Sequence, residues 1–78
     1  MKDQPLRLAR VRQLTATGEA RRLRLRARLS LGDIARSIGV ERTTVLRWER
    51  GERQPRGSAA LEYGDLLDRL AHELEDTR

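Results

Sequence analysis

The chain has no cysteine, no phenylalanine, one tryptophan, one tyrosine, one histidine and two prolines in 78 residues. Without cysteine there is no disulfide framework, no thiolate zinc site and no cysteine nucleophile. A single histidine, His72, argues against a histidine-built metal cage and reads as a surface residue, since no second ligand is spaced to join it. No apolar run approaches the roughly 20 residues that span a bilayer, and no signal-peptide core is visible, so a soluble intracellular protein is expected. Lysine is also scarce: Lys2 stands alone beside 16 arginines. Nucleophile–base pairs and paired carboxylates cannot be assembled convincingly, so no enzymatic activity and no cofactor are expected.

The arginines are unevenly placed. Residues 7–56 hold 14 of them against five acids, net +9, whereas residues 57–78 hold two against six acids, net −4. The whole chain is +5 with a pI near 11.2, in the range of nucleic-acid binders. A basic body with an acidic tail implies that one part meets a polyanion while the other packs elsewhere. An arginine-rich solvated face is the plainer alternative.

The length fits one small domain, residues 1–78. Pro5 suits a first helical turn, and Leu6, Ala9, Arg10 and Leu14 follow a loose helical spacing, so residues 1–16 read as an N-terminal helix or a mobile arm. Thr17 is placed to cap a second helix whose core face is Ala20, Leu23 and Ala27. Ser30-Leu31-Gly32-Asp33 is a close relative of the capping box. It opens a helix with Leu31, Ile34, Ala35 and Ile38 on one face, ended by Gly39. A second short helix, 42–50, ends at Gly51. Ser58 is expected to cap a last helix over 58–75.

Two short helices joined by a tight glycine turn form a helix-turn-helix, whose second helix enters a DNA major groove. On a wheel of 42–50, Val45 and Trp48 share one side, with Glu49 beside them. Thr43, Leu46, Arg47 and Arg50 face the other way, and Arg42 lies at the start. Arg47 suits bidentate contact with guanine, and Thr43 suits a base edge or thymine methyl. Arg53 and Arg56, in the following loop, suit phosphate, as do the amides near Gly57 and Ser58. Arg21, Arg22, Arg26 and Arg28 cannot all face one duplex, so most are expected to be solvated.

The order Arg24…Leu29-Ser30…Ile34-Ala35…Gly39-Val40…Thr43-Thr44-Val45…Trp48-Glu49-Arg50-Gly51…Pro55 resembles the lambdoid Cro/phage-repressor helix-turn-helix family, and small actinobacterial phage regulators in particular. The resemblance covers roughly residues 18–70. It implies an all-α bundle of four or five helices with a C-terminal amphipathic helix, acting as a sequence-specific repressor of double-stranded DNA in a bacterial or phage-infected cytoplasm. It assigns base reading to Arg42, Thr43, Thr44 and Arg47 and an ion pair to Arg24 and Glu49, while phosphate contact is expected of Ser30 and Arg50. The pair also makes physical sense, since a carboxylate beside Val45 and Trp48 is costly to bury without a cation. Two positions depart from the pattern. Leu31 stands where many members carry a polar phosphate contact, which is then lost or passed to the Ser30 hydroxyl and backbone amides. Glu41 stands in place of the usual Ser or Thr cap.

In the last helix, Ala60, Tyr63, Leu67, Leu70 and Leu74 follow a 3-4 rhythm that fits either the chain's own core or a coiled-coil seam. The expectation is a split, with Tyr63, Leu67, Leu70 and Leu74 serving dimerisation on a pseudo-palindromic operator. Gly64 implies a close helix approach. No membrane or small-molecule partner is expected. Two alternatives stay open: a protein-interaction module that docks an acidic surface on the arginine face, and an antitoxin or excisionase-type accessory DNA-binding protein.

Overall fold

A computed structural model describes residues 3–76, so the first two residues of the expected N-terminal segment lie outside the described residues. The five elements described are all helices: α1 Gln4–Ala16, α2 Glu19–Arg26, α3 Leu31–Ile38, α4 Arg42–Glu49 and α5 Gly57–Asp76. The all-α class is as the sequence implied.

The 20-residue α5 is the central post, packing against α1, α2 and α3, while α3 packs on α4. The core it organises comprises Val11, Ala20, Leu23, Ile34, Ala35, Ile38, Val45, Trp48, Ala60, Tyr63 and Leu67. Scarce aromatics are spent at one place: the Trp48 and Tyr63 rings meet at 4.9 Å between centroids, tilted by 34°. Tyr63 is 1% exposed and Leu67 is fully enclosed, so both belong to the chain's own core. The expected role of Tyr63 and Leu67 in dimerisation is therefore corrected, because neither side chain has surface left for a second copy. Leu70 and Leu74 are half-buried.

Residues 4–16 form a docked helix rather than an arm, and its seam differs from the expected one. Val11 and Thr15 point inward, while Leu6 is 74% exposed and Ala9 is exposed. Two ion pairs tie the helix down: Arg7 Nη2 to Asp65 Oδ2 at 3.1 Å, and Arg10 Nη2 to Asp68 Oδ1 at 2.7 Å. Val11 fits because Gly64 leaves room, and a Cβ on Gly64 would stand 3.4 Å from the Val11 Cβ. The close approach implied by Gly64 is thus present.

Caps set the helix boundaries. At α3, the Asp33 amide donates to Ser30 Oγ at 2.9 Å and the Ser30 amide donates to Asp33 Oδ2 at 2.8 Å, a reciprocal capping box. The Ser30 amide, and then its hydroxyl and Arg36, hold the Asp33 carboxyl below its ordinary pKa. At α2 the cap position is Gly18, with left-handed backbone. Thr17 Oγ1 accepts only a long bond, 3.4 Å, from the Glu19 amide. The last helix begins at Gly57, so Ser58 lies inside its first turn instead of preceding it.

The element that fixes α4 is an ion pair. Arg24 Nε donates to Glu49 Oε2 at 2.6 Å and Arg24 Nη2 donates to Oε1 at 3.0 Å, a two-pronged bridge from α2 to α4. Arg24 Nη1 also donates to the Leu29 carbonyl at 3.0 Å, which holds the turn between α2 and α3. The side chains are 11% and 2% exposed. Hydrogen bonding to Glu49 raises the Arg24 pKa against the opposing effect of burial. The buried Tyr63 hydroxyl has no hydrogen-bond partner, and burial followed by the Glu49 charge pushes its pKa well up.

Two predictions follow from this packing. Removing one partner leaves the other as an uncompensated buried charge, so Arg24→Met alone should cost about 3–5 kcal/mol in chemical denaturation. The double variant Arg24→Met/Glu49→Met should recover most of that loss, and a double variant as unstable as the single would contradict the assignment. Arg28 has φ +61°, in the left-handed turn that closes α2. Its amide donates to the Leu25 carbonyl, and the Leu29 amide donates to the Arg24 carbonyl. Arg28→Gly should therefore stabilise the fold by about 1 kcal/mol, read as a higher denaturation midpoint.

Candidate nucleic-acid interface

Helices α3 and α4 form the two-helix unit. Gly39 takes a left-handed conformation at φ +73°, and the Val40 amide donates to the Ala35 carbonyl at 3.0 Å, so the chain leaves α3 and turns within three residues. Glu41 precedes α4 with extended backbone and makes no side-chain cap bond. The departure at position 41 therefore removes the usual cap rather than replacing it. Leu31, the other departure, packs against the edge of the core.

Orientation of α4 follows from what it buries. Val45 and Trp48 are buried and Glu49 is held by Arg24, so the opposite side is turned out. Thr43 and Arg47 are exposed there, Arg42 is exposed at the first residue of the helix nearer the Glu49 side, and Thr44 and Leu46 are half-buried. The face thus joins two of the four residues assigned to base reading, with Arg42 at the helix start and Thr44 turned partly inward. Guanidinium donors and a small hydroxyl on one exposed helix side match the donor and acceptor pattern of base edges.

The residues assigned to phosphate fall into separate places. Ser30 is exposed at the start of α3, where its Oγ already accepts the Asp33 amide. Arg50 is exposed at the end of α4. Arg53 and Arg56 are exposed on the loop that follows and line one recess together with Gln54 and Arg12. Ser58 does not join them, because it lines a mostly apolar recess with Pro5, Leu8 and Leu61. Arg12 was missed by sequence reasoning. It stands on α1, more than forty residues away in the chain, and its Nε donates to the Pro55 carbonyl at 2.9 Å. No local signal marks it, since only the docking of α1 on α5 brings it to this loop.

Among the described residues no helix is long and apolar enough to cross a membrane, and no group of His, Cys, Asp or Glu is arranged to hold a metal ion. No curated protein and no solved structure matches the chain. A comparison with protein families matches residues 15–76, most of the chain and all of α2 to α5, to a family described as a helix-turn-helix domain. The chain belongs to this helix-turn-helix family, and the helix-turn-helix is a unit that docks on double-stranded DNA.

Proposed function

We propose that the protein is a Cro-like transcriptional repressor that reads double-stranded DNA in a sequence-specific way, with α4 in the major groove. The observation that carries this reading is the division of α4. Val45, Trp48 and Glu49 are committed to the interior, which leaves Thr43 and Arg47 exposed on one outer side and Arg42 exposed at the helix start. Arg42 and Arg47 supply bidentate donors for guanine, and Thr43 meets a base edge or a thymine methyl, with Thr44 at the margin. Arg50, Arg53 and Arg56 hold backbone phosphates beside the groove, and Ser30 does so at the start of α3. The protein acts by occupying its operator, without a cofactor.

The active form is a homodimer. With Tyr63 and Leu67 in the core, the seam is the C-terminal part of α5, where Leu70 and Leu74 are half-buried. Two copies would then present their α4 helices about 34 Å apart, one helical turn of DNA.

Arg47→Ala should weaken binding to a duplex enriched from a random pool by about 1–3 kcal/mol and relax base preference. Fluorescence anisotropy against enriched and scrambled duplexes measures both effects. Unchanged preference in Arg47→Ala would refute recognition through α4. Light scattering of the protein–DNA complex should give two chains per duplex, and a monomeric mass both free and on DNA would refute the dimer.

A further inference from the structure

We propose that α1 is a second DNA-contacting element, in which Arg12 joins Arg53 and Arg56 to clasp one backbone phosphate. The family match begins at residue 15, so α1 lies almost wholly outside it and the match gives this helix no role.

Two of the three α1 arginines are accounted for by their contacts. Arg7 and Arg10 each meet a carboxylate of α5. Arg22, Arg24 and Arg36 likewise have acidic partners. Arg12 has a different environment. Its Nε is pinned to the Pro55 carbonyl at 2.9 Å, and the open recess it lines, about 330 Å³, is completed by Arg53, Gln54 and Arg56. No carboxylate lines that recess, and Glu52 on the same loop is not part of it. Three guanidinium groups around one concavity repel one another unless an anion joins them, and the planar guanidinium fork matches a phosphate through paired N–H donors.

Position selects the anion. The recess lies on the loop leaving the C-terminal end of α4, so a phosphate held there flanks the groove that α4 enters. The inference rests on that reading of α4. Pre-organisation supports it as well. Val11 is fully buried against α5 and two ion pairs hold α1, so Arg12 is presented from a fixed helix with its Nη donors left for the ligand.

The test uses the full chain, anisotropy over a series of salt concentrations, and the enriched and scrambled duplexes. Arg12→Gln should weaken both duplexes by the same factor, about 3- to 10-fold, and lower the slope of log affinity against log salt by about 1. Arg12→Lys, which keeps the charge, should restore the slope. A slope unchanged in Arg12→Gln would overturn the clasp, even if affinity falls through a loosened loop. A methylphosphonate scan of the enriched duplex with the unmodified protein checks the site without any variant. One neutralised linkage should cost the parent at least as much as Arg12→Gln does, and it should cost Arg12→Gln clearly less than it costs the parent, since only Arg53 and Arg56 are left to lose. A scan in which every sensitive linkage weakens Arg12→Gln as much as the parent overturns the proposal. If inorganic phosphate shifts the Arg12 Nε resonance while the salt slope stays fixed, the recess is a free-anion site and the DNA clasp is refuted. Failure of the clasp shows in the Arg12 slope, whereas failure of α4 reading shows in the base preference of Arg47→Ala. A protein that binds no duplex would overturn both.

Discussion

The bridge between Arg24 and Glu49 is the constraint on which the rest of this small fold depends. One guanidinium satisfies both oxygens of a carboxylate that is 2% exposed, and its remaining arm ties down the turn before α3. An unpaired carboxylate at that depth would carry a heavy desolvation cost and force α4 away from the core. Because the pair is satisfied, α4 can seat Val45 and Trp48 and has one rotational setting. That setting decides which residues face solvent. A buried pair of this kind adds little net stability over an apolar substitute, so its value here lies in fixing orientation.

Charge in the chain is divided by purpose rather than spread as a uniform coat. Asp65 and Asp68 make α5 acidic, and they do so where Arg7 and Arg10 of α1 need partners. The acidic tail therefore has an internal role: it docks the N-terminal helix. Surface pairs of this kind contribute only about 0–1 kcal/mol each. The apolar contact of Val11 at Gly64 carries the attachment, and the charges select its register. What remains of the basic excess is concentrated on α2, the outer side of α4 and the loop after it.

The two-helix unit was legible from the sequence because its signals are local. Ser30 and Asp33 are three residues apart and cap each other, Gly39 ends α3, and the spacing of Val45, Trp48 and Glu49 fixes the inner side of α4. The Arg24–Glu49 pair was legible through family resemblance and through the cost of an unpaired buried acid. The seam of α1 was not legible, because the side that faces α5 carries Arg7 and Arg10, and charges there disguise a packing face. Leu6 was misleading for the same reason: it is apolar and yet exposed. In α5, the 3-4 spacing of Tyr63, Leu67, Leu70 and Leu74 fits an internal core and a coiled-coil seam equally well. Only the position of α1 and α2 around it shows that Tyr63 and Leu67 turn inward. Arg12 depends on two elements distant in sequence, and no periodicity within α1 reveals it.

The central claim is that the outer side of α4, set by a buried ion pair, reads DNA sequence. In vitro selection from a pool of random duplexes, followed by sequencing, tests it most directly. The account predicts enrichment of one motif with two related half-sites about one helical turn apart. Repeated rounds that retain DNA without enriching any motif would contradict it, and would leave the arginine face as a general polyanion or protein-docking surface.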